Sequence, residues 1–285
     1  MRYRGLFVGL TTLDCIYLSD RYPQANEKIV AKDYLTVAGG PATNAAVAFS
    51  YLGNQGKLLT VLGQHPMAQL IQSDLSQCNV ELIDLMPHKL DSPPLSSITV
   101  TANTGERSVI SINALKSQGK RSQIPPDILA GIDIVLIDGH QIDVSVAIAK
   151  IAHQRQIPVV MDGGSWKPRL EKILPKIDYA ICSANFYPPG CQDRQAVFDF
   201  LRSQGIDGIA ITQGKHPIQY CDRHEITEIA IPKIEAVDTL GAGDIFHGAF
   251  CNYILHLDFH HALACAAKIA SKSCQYFGTR SWRDQ

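Results

Sequence analysis

Asp238-Thr239-Leu240-Gly241-Ala242-Gly243-Asp244 stands just before an apolar run, Ile245, Phe246, Ala249, Phe250 and Ile254, whose spacing predicts a helix over 243–256. No side chain larger than a methyl occupies 241–243, so a ligand can approach that backbone closely. The first helical turn carries N–H groups without intrahelical acceptors, and the helix dipole favours negative charge there. Asp244 adds a carboxylate inside the same turn. An anion cradle beside a carboxylate suits phosphoryl transfer to a hydroxyl: the cradle holds the developing charge and the carboxylate takes the proton. A Gly-rich helix entry with an acid in its first turn also occurs for stability alone. The seven-residue form, together with a second glycine motif, favours the chemical reading.

That second motif is Gly39-Gly40-Pro41-Ala42-Thr43-Asn44, followed by a helical run over 45–52 and then Gly53. A Gly-Gly pair permits a tight strand-to-helix turn with exposed amides. Asn44 offers a donor and an acceptor for sugar-like hydroxyls.

Around the two motifs, apolar runs at 6–10, 57–62, 132–137, 158–161, 179–182 and 208–212 read as strands. Helical periodicity appears at 42–52, 67–78, 144–154, 195–204, 243–256 and 259–276. The strands are mostly apolar throughout, as in a parallel sheet covered on both faces. The alternation predicts an α/β fold: a doubly wound, mostly parallel sheet flanked by helices, with ligands beyond the carboxyl ends of the strands. Two regions, 27–37 and 95–112, break the alternation with polar positions interleaved, as in Ser97-Ile98-Thr99-Val100-Thr101, and Thr104-Gly105 reads as a hairpin tip. They are expected to form a small β-sheet lid, with segments about 27–38 and 95–112 inserted in a single α/β domain spanning 1–285. Residues 86–94, with Pro87, Pro93 and Pro94, form the loop before the second lid segment.

The chain has 285 residues, 46% of them hydrophobic, enough for a large core. Net charge is −1 and Lys and Arg form no dense block, which argues against a nucleic-acid groove or a polybasic membrane contact. No apolar run is long enough to span a bilayer and the first residues lack a signal-peptide layout, so the expected location is cytoplasmic. None of the eight cysteines forms a CxxC pair, which points to buried reduced thiols. His256 and His260 have i,i+4 spacing, but no acid or cysteine completes a metal set.

Taken together, the chain resembles the ribokinase-like (PfkB) family of carbohydrate kinases over nearly its whole length. The resemblance is carried by Gly9-Leu10-Thr11-Thr12-Leu13-Asp14, residues 39–44, Val61-Leu62-Gly63, Ile211-Thr212-Gln213-Gly214 and residues 238–244. The segment Asn103-Thr104-Gly105-Glu106-Arg107-Ser108-Val109-Ile110 is similar to the Gly-x-Arg-Thr-Ile hairpin of the ketohexokinase-like branch, and 179–183 and 270–274 are similar to that branch as well.

The resemblance implies transfer of the γ-phosphoryl group of ATP to a primary hydroxyl of a sugar, a ketose or ketose derivative being favoured. It makes Asp244 the general base and Gly241, Ala242 and Gly243 the anion hole. Asp14, Gly39, Gly40 and Asn44 form the sugar site, and Arg107 reaches over the sugar or a phosphate it carries. Thr212 and Gly214 line the nucleotide site, with Gly278 near the adenine end. Mg2+ accompanies ATP, and Asp238 stands where many relatives bind a monovalent cation such as K+. The implied partners are a small-molecule sugar, ATP and a second copy of the chain, paired as a homodimer through the lid, with no nucleic acid or membrane.

Three departures stand out. Asn185-Phe186-Tyr187-Pro188 has Pro where many relatives carry the Glu of Asn-x-x-Glu, which helps organise magnesium; Pro41 replaces an Asn or Lys; and Gln64-His65 replaces a frequent Asp. Two other functions share these motifs. One is a nucleoside kinase of the same fold, which needs an aromatic wall that the sequence does not place. The other is a sugar-binding regulatory protein without catalysis, which the intact glycine turn argues against.

Overall fold

The computed structural model describes residues 2–222 and 225–284. In chain order the elements are β1 (Arg4–Val8), β2 (Thr12–Ser19), β3 (Asp33–Gly39), α1 (Pro41–Tyr51), β4 (Gln55–Thr60), α2 (Pro66–Gln77), β5 (Val80–Asp84), β6 (Leu95–Thr101), β7 (Arg107–Ser111), β8 (Ile134–Ile137), α3 (Ile142–Gln154), β9 (Val159–Gly163), β10 (Tyr179–Ser183), α4 (Arg194–Ser203), β11 (Gly208–Gln213), β12 (His216–Asp222), β13 (Glu225–Ile229), α5 (Ala242–Tyr253) and α6 (Phe259–Ser273). The larger sheet runs β13-β12-β11-β10-β9-β8-β1-β4-β5. It is parallel from β11 to β5, and β12 and β13 are antiparallel additions at one edge. The six strands and six helices expected from periodicity are all present, with small shifts at their ends.

Strand alternation explains the continuous apolar runs. Phe7, Leu58, Leu136, Val160, Ile181 and Ala210 face Ala45, Phe49, Phe246, Phe250 and Leu263 of α1, α5 and α6. Their neighbours Leu6, Val8, Leu59, Val135, Met161 and Ile209 face Ile148 of α3 and Phe198 and Leu201 of α4. Both faces are dry, so neither can carry polar residues. β5 escaped the sequence reading because it is an edge strand with only Val80 fully buried. β12 and β13 escaped it because polar residues interrupt both.

The lid is a separate four-stranded sheet, ordered β3-β2-β6-β7. β2 pairs parallel with β6, and β2–β3 and β6–β7 are antiparallel. The expected segment 95–112 forms β6 and β7 around a turn in which Gly105 adopts φ 65°. The segment 27–38 needs correction: it is strand only from Asp33, and its partner is β2, not a second half of its own length. β2 was hidden because it lacks the alternation of a one-sided strand: Thr12, Leu13 and Asp14 are buried in succession. Ile16, Ile98 and Val100 form the lid's own core, against Leu240 and Phe277. All eight cysteines are free thiols, most of them buried. Among the described residues no helix is long and apolar enough to cross a membrane.

Candidate active site

Gly241 precedes α5 as its N-cap and holds the left-handed φ of 71°. A Cβ there would lie 2.7 Å from Thr279 Cγ2. Gly243 is different: a Cβ on it would meet nothing within 4 Å, so the space in front of the turn is open. Ala242 N reaches Thr239 O at a long 3.4 Å, and among the described residues the N–H groups of Gly243 and Asp244 have no main-chain acceptor outside the helix.

Asp244 follows, half-buried. Its Oδ2 accepts from Asn44 Nδ2 at 2.8 Å, which joins the two glycine motifs directly. Close packing makes the contact possible: a Cβ at Gly248 of α5 would lie 2.2 Å from Ala45 O of α1. Burial, and then the nearby Asp162 carboxylate, push the Asp244 pKa up to about 7, against the opposing pull of Asn44, His247 and Arg107. Near neutrality the group is therefore poised between carboxylate and acid.

The oxygen of the Asn44 amide is engaged as well. Its Oδ1 accepts from Arg280 Nη1 at 2.9 Å. Arg280 also donates from Nη2 to Asp74 Oδ2 of α2 at 3.0 Å and to Ala38 O of β3. Asp74 Oδ2 in turn accepts from Ala38 N at 3.1 Å.

On the expected sugar side, Asp14 is 5% exposed. It accepts from Thr12 Oγ1 at 2.5 Å, and burial raises its pKa despite hydrogen bonds from Thr12 and Ser96. A side chain opposite it would displace the carboxylate, since a Cβ at Gly39 would lie 1.9 Å from Asp14 Oδ2. Gly40, at φ 99°, packs against Leu10 O, 2.4 Å from where a Cβ would stand. Asp138, just past β8, accepts from Leu10 N at 2.8 Å and Ala42 N at 3.3 Å, which fixes the start of α1.

Below the α5 turn, His247 lies between β9 and β10. Its Nδ1 is 2.7 Å from Gly243 O and 3.5 Å from Asp162 Oδ2, and its Nε2 is 3.0 Å from Ile181 O.

The lid tip closes on the signature loop. Arg107 Nη1 donates to Thr239 Oγ1 at 2.9 Å and to Thr239 O at 3.2 Å, and Thr239 Oγ1 donates to Gly105 O at 3.0 Å. The guanidinium is thus docked on the loop beside the acids rather than extended. Asp238 is 2% exposed. Its two oxygens accept from Leu240 N and Gly278 N, both at 2.8 Å, so it ties the loop to the carboxyl-terminal segment. Gly278, at φ 77°, packs on Leu35 of the lid. Thr212 and Gly214 lie apart from this network at the carboxyl end of β11, where Thr212 Oγ1 donates to Cys182 O at 3.3 Å.

Among the described residues no group of three His, Cys, Asp or Glu side chains is placed to hold a metal. The structure adds Asp138, Asp162, His247 and Arg280 to the expected set. Asp138 and Asp162 each end an apolar strand at a glycine, a readable signal; Arg280 carried none, because its partners lie over two hundred residues away.

Comparison with known proteins agrees with this architecture. Residues 5–284 match the profile of the pfkB family carbohydrate kinases. The chain is 26% identical to a ribokinase of Bacillus subtilis over 289 residues, covering 96% of this chain and 93% of the relative. It is 23% identical to a deoxyribokinase of Salmonella typhi over 291 residues, covering 96% and 93%. The structure of Arabidopsis thaliana ribokinase complexed with ribose and ATP superposes with a TM-score of 0.76 at 22% identity, covering 98% of this chain and 94% of that one. The ribokinase-like fold and a profile match over almost the whole chain place this protein in the pfkB family of carbohydrate kinases, as a sugar-kinase phosphotransferase.

Proposed function

We propose that the chain transfers the γ-phosphoryl group of ATP to a primary hydroxyl of a sugar, with Asp244 as general base. One observation carries this reading. Asp244 Oδ2 is capped by Asn44, its Oδ1 accepts no hydrogen bond among the described residues, and the glycine turn beside it is open. The sugar hydroxyl donates to Oδ1 and gives up its proton as the oxygen attacks in line. The N–H groups of Gly241, Ala242 and Gly243 then receive the charge spread over the equatorial phosphoryl oxygens.

Asp14, Gly39, Gly40 and Asn44 bind the sugar. Arg107 supplies positive charge at the edge of the site from the docked lid. Thr212 and Gly214 belong to the nucleotide side, with Gly278 at its far end. Magnesium neutralises the ATP phosphates when bound. With Pro188 in place of the acid, no side chain at that position would hold the ion, and phosphates and water would supply most of its ligands. A potassium requirement would act through carbonyls near Asp238, whose own oxygens both accept main-chain N–H groups.

The lid hairpin favours a ketose or ketose derivative, and the ribokinase and deoxyribokinase relatives make pentoses the nearest competitors. Tyr34 and Ile110, 68% and 76% exposed on the outer lid strands, support a homodimer through the lid, within a single ribokinase-like domain.

A panel of ketoses, aldopentoses and nucleosides with ATP and magnesium, read by coupled ADP release and by 31P NMR of the product, tests this reading. The expected result is a phosphomonoester on the primary carbon of a free sugar. Turnover only with nucleosides, or tight sugar binding without ATP consumption, would overturn it.

A further inference from the structure

The carboxyl-terminal segment reaches the reaction centre through one side chain. Arg280 is largely buried, with 12% of its side chain exposed. A guanidinium can only donate hydrogen bonds. Because Nη1 meets the Asn44 side chain at 2.9 Å, the atom facing it is the amide oxygen, and the NH2 group is turned to Asp244 Oδ2 at 2.8 Å. With Arg280 removed, the amide is free to rotate and present its oxygen to the carboxylate, which favours the protonated acid.

Arg280 is itself held on three sides. Asp74 of α2 accepts from Nε at 3.3 Å and from Nη2 at 3.0 Å, Ala38 O accepts from Nη2, and Thr279 Oγ1 accepts from Nη1 at 2.9 Å. The clamp ends one residue before Gly39, so it fixes the sugar-side turn as well.

We propose that Arg280 is a positioning residue of the phosphoryl-transfer reaction: it sets the orientation of the Asn44 amide so that Asp244 stays an acceptor with Oδ1 free for the hydroxyl. This inference rests on Asp244 being the base. The other charged groups facing Asp244 are Asp162 of β9, His247 of α5 and Arg107 of the lid, and none of them changes in the test below.

The test is the pH dependence of kcat and of each KM for Arg280→Met and Arg280→Lys, with Asp244→Asn and thermal unfolding measured in parallel. Loss of the amide lock is expected to lower kcat at pH 7 by roughly 10- to 100-fold and to move the acidic limb to higher pH. The KM for ATP should hold, and the Lys variant, which keeps a charged donor group, should recover part of the loss. If the Met variant does not fold, the limb of the Lys variant decides. An unmoved limb in a folded variant, with any loss confined to KM or following Tm, contradicts the inference. An active Asp244→Asn protein would instead defeat the base assignment. An inactive one beside an unmoved limb in the Arg280 variants would defeat the positioning role alone.

Discussion

Two glycine-rich turns lead into two helices that touch, and they are built for opposite purposes. At the start of α1 the turn is filled by the protein itself. Ala42 N donates to Asp138, Thr43 Oγ1 donates to Leu10 O at 3.1 Å, and Gly40 lies against the Leu10 carbonyl. At the start of α5 the turn is left open: Gly243 is exposed, a Cβ on it meets nothing, and Asp244 beside it has an uncapped oxygen. Glycine serves close backbone packing in the first case and leaves open space in the second. The same local pattern thus yields a tightly packed turn or an open one according to what surrounds it.

Substitutions can break this contrast. Gly40→Ala is expected to do the most damage, since it forces a methyl toward Leu10 O at φ 99° and costs about 3 kcal/mol or more of stability. Urea unfolding would show it as a lower midpoint at an unchanged slope. Gly243→Ala should do the reverse. It fills open space in a helix, so stability should stay level or rise by about 0.5–1 kcal/mol. Its kcat should fall roughly 10- to 100-fold because the methyl intrudes on the phosphoryl group. A Gly243→Ala protein with full activity would erase the distinction between the turns.

The pH profile sharpens the contrast further. Burial and Asp162 raise the Asp244 pKa to about 7, and a carboxylate can act as a general base only when deprotonated. Activity should therefore fall about tenfold per unit as pH drops below that value. Asp162→Asn removes the repelling charge and should shift the limb to lower pH. Arg107→Ala should have the mildest effect, a few-fold rise in the KM values, because an exposed guanidinium on Thr239 contributes little.

Most of the architecture was legible in the sequence. Strands with two dry faces cannot avoid being apolar, and helices such as α4, capped by Asp193 with Val197, Phe198 and Leu201 inward, cannot avoid their period. Strands β2, β5, β12 and β13 were not legible, since their burial follows from neighbours supplied by distant segments. In the site, Gly241–Asp244 and Asn44 stood out because their chemistry depends on local backbone. Asp138 and Asp162 were visible as acids ending apolar strands, without any hint of what they hold. Arg280 was invisible: nothing near Gly278-Thr279-Arg280 in the chain indicates that folding sets it against Asn44 and Asp74.

In the proposed reaction the Asp244 carboxylate takes the acceptor proton beside an open anion cradle. Single-turnover phosphoryl transfer by Asp244→Asn, which keeps the size of the side chain, tests it most directly. The expected result is a loss of about 100-fold or more in the transfer rate, with ATP affinity and Tm close to those of the unchanged protein. Transfer at the original rate in a folded, ATP-binding Asp244→Asn protein would show that Asp244 is not the base.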